Sequence, residues 1–182
     1  MIEVKINGLF LTQSQASGVI LKEIKGERTL PIIIGEYEAQ SIALGLEKIK
    51  PPRPITHDLT LSMLDSLTVE IERIAVTELK NNTYYAVIYI RQNSKLLEID
   101  SRPSDAIALA VRRNVPIFVA EEVMEKGAYT AEDVQDIKEG RVDFKEDRIE
   151  KLKVALQEAV EKEDYEKAAK IRDEIKKLES RH

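Results

Sequence analysis

The sequence contains no cysteine, which removes disulfides, thiolate metal sites and thiol nucleophiles together and leaves oxygen and imidazole as the only metal donors. Imidazole is scarce as well, with two histidines in 182 residues. Long apolar runs are missing: those present, such as Leu30 to Ile34 and Val115 to Ala120, fall far short of the roughly 20 residues that a membrane-spanning helix needs. The opening Met-Ile-Glu-Val-Lys-Ile alternates like a strand and lacks the cationic start and apolar stretch of a signal peptide, so the expected location is the cytoplasm, with no membrane partner. There is no glycine-rich phosphate loop, HExxH motif or nucleophile elbow, which excludes the best-marked nucleotide, zinc-protease and hydrolase classes. A surplus of positive charge is also lacking. The net charge is -5, which argues against broad electrostatic attraction to nucleic acid. Of 28 basic and 33 acidic residues, residues 145–182 hold 11 of each, so the whole deficit lies in the first 144 residues, with 17 basic and 22 acidic.

What is present fits one ordinary domain plus a small appendage. Apolar residues make up 43% of the chain, a globular share, and charged residues 34%, above the usual quarter, which points to one very polar segment. Residues 2 to 12, 17 to 25 and 29 to 34 alternate β-branched and leucine residues with polar ones between turns near Ser14 and Gly26, which predicts an antiparallel meander. After Gly35, the spacing of Ala39, Ile42, Ala43, Leu46 and Ile49 predicts a half-buried helix stopped by Pro51 and Pro52. A second helix is predicted from His57 to about Leu67, with Thr56 as N-cap and Asp58 against the positive helix end. VEIERIAVTELK, Asn81-Asn82, TYYAVIYIR, Asn93-Ser94 and KLLEID read as a hairpin and a third strand. Pro103 suits the first turn of a helix reaching Arg113, and VPIFVA reads as a short buried strand. The fold class expected is α+β: mainly antiparallel strands packed with a few helices in residues 1–130, a linker at 131–146, and a C-terminal antiparallel helical hairpin at 147–182.

Two stretches carry more polar chemistry than a helix start requires. RPITHDLTLSML at 53 to 64 and RPSDAIALAVRR at 102 to 113 both place Arg-Pro just ahead of a hydroxyl residue and an aspartate. His57, at a predicted helix N-terminus, has its cationic form disfavoured by the helix dipole, which suits a general base or a metal ligand. The plainer alternative is that Thr56 and Asp58 cap a helix and His57 is surface filler. Arg53 and Arg102, with Ser104, offer phosphate-matched donors beside helix-start amides; alternatively Asp105 caps and Arg102 pairs with Asp100 or Glu98. Glu36 and Glu38, with Asp58, Asp100 and Asp105, could supply oxygen ligands to a hard ion such as Mg²⁺ or Mn²⁺, which would activate water against a phosphodiester. Glu38 reads more simply as relief of a helix dipole.

LPIIIGEYEAQSIALGLEKIKPPRPITHDL and EIDSRPSDAIALAVRRNVPIFVAEEV together resemble the bifunctional nuclease (DNase/RNase) domain family, from about Met1 to about Lys126. The resemblance implies an α+β domain that forms homodimers, with activity on DNA and RNA in some members. IEKLKVALQEAVEKEDYEKAAKIRDEIKKLE resembles the UVR motif of excision-repair nuclease subunits, through Asp164, Glu166, Ala168, Ala169, Arg172, Asp173, Ile175 and Leu178. It implies a protein-contact hairpin, with Tyr165, Ala168, Ala169, Ile171, Arg172 and Ile175 as the contact residues. The resulting expectation is a phosphodiesterase acting on nucleic acid, in which His57, Asp58 and Asp105 are catalytic, Arg53, Arg102 and Ser104 bind substrate, and Glu36, Asp58 and Asp105 hold the metal. The rival is a dimeric, non-enzymatic module whose polar cluster binds a small anionic ligand.

Overall fold

Alternation becomes a meander in the first part of the chain. In the computed structural model, β1 (Ile2–Leu11), β2 (Ser17–Glu23) and β3 (Thr29–Ile34) pair antiparallel in sequence order. Gly8, at φ +116°, lies in the register shift of β1 between Ile6 and Leu9, where an ordinary side chain would be strained. A second antiparallel run consists of β4 (Val69–Lys80), β5 (Thr83–Gln92) and β6 (Lys95–Ser101). Asn81 and Asn82, at φ 49° and 58°, close the β4–β5 hairpin as the paired left-handed residues of a tight turn. The two runs are joined by β7 (Ile117–Val119), which pairs antiparallel with β1 and parallel with β4, giving the sheet order β3-β2-β1-β7-β4-β5-β6. The short buried strand expected at VPIFVA therefore lies in mid-sheet.

The structure describes residues 1–12, 15–130, 133, 136, 144–162 and 164–179, with side chains throughout except at 144–148 and 177. The expected turn at Ser14 and most of the expected linker at 131–146 lie outside the described residues. The chain divides into two units, Met1–Val134 and Gln135–His182.

The sheet carries α1 (Glu36–Leu46), α2 (Thr56–Ser66), α3 (Pro103–Arg113) and α4 (Glu121–Gly127). Helix α3 is the most buried of these, with Ala106 through Ala110 all inside; it packs on β4 and β5 and against α1 and α2. Gly45 of α1 meets its last turn so closely that a Cβ there would sit 2.5 Å from Val111 Cγ2. This close approach brings the last turn of α1 against the last turn of α3. Helix α4 has no counterpart in the sequence reading; only Val123, Met124 and Gly127 of it are buried.

Two helix ends differ from expectation. Helix α1 stops at Leu46, three residues before Ile49, because Lys48 turns left-handed at φ 55° and the amides of Lys48 and Ile49 fold back onto the carbonyls of Gly45 and Leu44. That position prefers glycine, so a lysine there costs on the order of 1 kcal/mol. In α2 the cap is Ile55 and not Thr56. Ile55 has no side-chain acceptor, but its amide donates to Asp58 Oδ2 at 3.4 Å and its carbonyl accepts from Leu59 at 2.8 Å, so Thr56 is already inside the helix.

In the second unit, α5 (Phe144–Glu161) and α6 (Tyr165–Glu179) form a hairpin. Asp164 caps α6, accepting from the Lys167 amide at 3.1 Å. Ala159, Ala168, Ile175 and Leu178 are buried and Ile171 half-buried, while Tyr165, Ala169 and Arg172 are exposed. Among the described residues no helix is long and apolar enough to cross a membrane.

Candidate active site

Three helix segments meet at one polar network. Arg102, just before α3, is 65% exposed and grips Asp105 with two bonds, Nε to Oδ2 at 2.8 Å and Nη2 to Oδ1 at 3.1 Å; its Nη1 reaches Glu38 Oε1 of α1 at 2.9 Å. Asp105 also faces His57 of α2, with Nε2 and Oδ1 3.3 Å apart, and the other ring nitrogen, Nδ1, lies 2.8 Å from Ser41 Oγ of α1. The His57 side chain is only 14% exposed. Arg112, on the last turn of α3 and 9% exposed, donates to Asp58 Oδ1 at 2.8 Å, to the carbonyls of Ser41 and Ala108 at 3.1 and 2.8 Å, and to Ser41 Oγ at 3.2 Å.

The donors and acceptors restrict how this chain of bonds can run. Arginine can only donate, so Ser41 Oγ accepts from Arg112 and keeps its own proton and a second lone pair, with His57 Nδ1 as the next partner. A carboxylate only accepts, so His57 Nε2 donates its proton to Asp105; in the tautomer with Nδ1 bare, the ring accepts from Ser41 Oγ. The result is a hydroxyl–imidazole–carboxylate relay, held at its oxygen end by Arg112 and at its carboxylate end by Arg102. Burial pushes the Asp105 carboxyl up, but the Arg102 bonds and charge, with help from His57, outweigh it and hold the group below the usual aspartate range.

The relay forms one wall of an open cavity of about 550 Å³, with Glu38 and Arg102 at its rim and Tyr37, Leu44, Ile49 and Ile55 as apolar lining. Of the residues picked out in the sequence, His57, Arg102 and Asp105 meet here. Asp58 faces Arg112, Glu36 and Arg53 are exposed away from the cavity lining, and Ser104 is buried beside the start of α3. Glu36, Asp58 and Asp105 thus share no point at which one divalent ion could touch all three, and no group of three metal-ligating side chains occurs among the described residues. The sequence reading missed Ser41 and Arg112 and ranked the dipole role of Glu38 above its role as an oxygen ligand. The one signal for Ser41 is a hydroxyl residue beside Ile42 on the buried face of α1.

A model of the bifunctional nuclease domain matches residues 19–132, which include every residue of this network. The chain belongs to that family. A UvrB/uvrC motif model matches residues 146–181. Similar proteins include Uncharacterized protein Rv1829 of Mycobacterium tuberculosis, 36% identical over 91% of this chain and 98% of that protein. Bifunctional nuclease 2 and Bifunctional nuclease 1 of Arabidopsis thaliana are 26% and 30% identical over 91% and 80% of this chain. The chain spans only 56% and 51% of the length of these two plant proteins.

Proposed function

We propose that the protein hydrolyses phosphodiester bonds of nucleic acid in the cavity between α1, α2 and α3. The observation that carries this reading is the relay itself, an imidazole aligned between a hydroxyl and a carboxylate beside an exposed arginine. Arg102 holds the phosphate, exchanging its bond to Glu38 for one to a phosphate oxygen. An attacking water donates to Ser41 Oγ, Ser41 passes its proton to His57 Nδ1, and Asp105 steadies the imidazolium so formed. The water oxygen bonds to phosphorus, the ester P–O bond breaks, and the leaving oxygen takes the proton back from His57 by the same route. Purified wild type is expected to cleave DNA or RNA oligonucleotides, with or without added Mg²⁺ or Mn²⁺, and Arg102→Ala to lose about 10²-fold in kcat/KM. No cleavage of any substrate by wild type under either condition would overturn the reading.

Two features support partners. Strand β6 lies open along the sheet edge, and its exposed Leu97 and Ile99 stand opposite the core residues Ile90 and Ile88, so the apolar face of the sheet runs out to an uncovered edge. This edge suits a homodimer. The UVR-like hairpin suits a separate protein partner, with Ile171 in its contact stripe. A chain ending at Phe144 should therefore keep its melting temperature and its dimer mass, whereas Leu97→Lys should halve the mass. A melting temperature lowered by many degrees would place the hairpin in the main core, and a wild-type monomer mass by light scattering would rule out the edge as an interface.

A further inference from the structure

A second cavity, of about 570 Å³, lies beside the first and shares Leu44 and Ile49 with it. It opens between α2 and the C-terminal ends of α1 and α3, and Lys48, Lys50, Arg112 and Arg113 line it against Asp58 and Asp65. Arg112 is paired with Asp58, and Arg113 with Asp65. Lys48 and Lys50 form no ion pair among the described residues, so two positive charges face this cavity without an acidic partner. They do so in the part of the chain where acidic residues outnumber basic ones. Lys48 also occupies the left-handed position that glycine would fill better. In the lining of the first cavity Tyr37 is 83% exposed, an aromatic face turned to solvent, and apolar Ile49 of the same lining is half-exposed.

We propose that the two cavities form one groove for a single-stranded nucleic acid, with a base stacked on Tyr37 and the phosphates of flanking nucleotides held by Lys48 and Lys50. The proposal rests on the reading of the first cavity as the phosphodiester site and extends it to a substrate class. An exposed aromatic is useful to an unstacked base, whose face a duplex hides, and stacking accepts every base. The lysines are point charges that read the backbone and not the sequence. Neither contact touches a sugar hydroxyl, so DNA and RNA strands should both fit.

The test is fluorescence anisotropy on the full chain, as wild type and as Ser41→Ala to keep the probe intact. The probes are fluorescein-labelled oligothymidylate and oligouridylate of about twelve nucleotides, with a duplex of the same length for comparison. Single strands should bind at least about tenfold tighter than the duplex, and Tyr37→Ala should weaken them about tenfold. The double substitution Lys48→Gly, Lys50→Gln should lower the slope of log K against log salt by about 1.4, which is about 0.7 for each of two phosphates. Lys48→Gly alone should leave the melting temperature unchanged or higher, since glycine suits that backbone, so a loss of binding there is not a loss of fold. Equal affinity for the duplex, or wild-type affinity and salt slope in the Tyr37 and lysine variants, would overturn the groove. Binding with these dependences but no cleavage would leave the groove standing and sink the nuclease reading. Cleavage with kcat/KM insensitive to Tyr37, Lys48 and Lys50 would do the reverse.

Discussion

Asp105→Asn should slow phosphodiester cleavage by about 10²–10⁴-fold while the chain stays folded. Asparagine has no charge with which to steady the imidazolium, and whichever way its amide turns, its NH₂ faces a donor of Arg102 in place of an acceptor oxygen. A single-turnover assay with an oligonucleotide reads the loss directly. The same substitution has a signature in stability. Because the folded state holds the Asp105 carboxyl below its ordinary range, its contribution is complete above the unfolded value of about 4 and is lost as pH falls through the lower folded value. The variant should therefore lose less stability than wild type on acidification below about pH 4. Wild-type cleavage by a folded Asp105→Asn protein would remove Asp105 from the mechanism.

Arg112→Met should cost about 3 kcal/mol, the largest stability loss of any substitution in the network. Arg112 is nearly buried, and its guanidinium satisfies Asp58, the Ser41 hydroxyl and two carbonyls at once. Methionine fills the volume but leaves a carboxylate with no cation and Ser41 without the donor that sets its direction. At roughly 2–4 °C per kcal/mol for a chain of this size, the melting temperature should fall by about 6–12 °C. Arg112→Lys should recover only part of this, since an ammonium cannot reproduce a fork that reaches α1, α2 and α3 together. A loss below about 1 kcal/mol for Arg112→Met would show that the bonds are replaced by water and that α1 and α3 are held by packing alone.

The elements were legible where a local pattern decides them. Two-residue alternation marked all three strands of the meander, and paired asparagines marked the β4–β5 turn. The site was legible in part, for a geometric reason. His57 and Asp58 are neighbours in sequence, but successive helical residues point about 100° apart. His57 therefore meets the start of α3 through Asp105, and Asp58 meets its end through Arg112. Reading the pair as one catalytic unit merged two separate contacts. The pairing of Ser41 with Arg112 carries no local signal because the two are 71 residues apart, and the approach of α1 to α3 joins them. Arg53 repeats the Arg-Pro pattern of Arg102 yet lies outside the network.

The three residues of β7 also bear on the order in which the chain can assemble. The β1–β3 meander and the β4–β6 run each pair strands that are neighbours in sequence, so each can form early by closing short loops. Neither run pairs its strands with the other except through Ile117–Val119. During synthesis the inner edges of β1 and β4 therefore stay unpaired until the chain has grown past residue 119, exposing two strand edges that would pair with other chains as readily as with β7. The shortest strand in the sheet is thus the one whose late arrival ends the period of greatest exposure to aggregation.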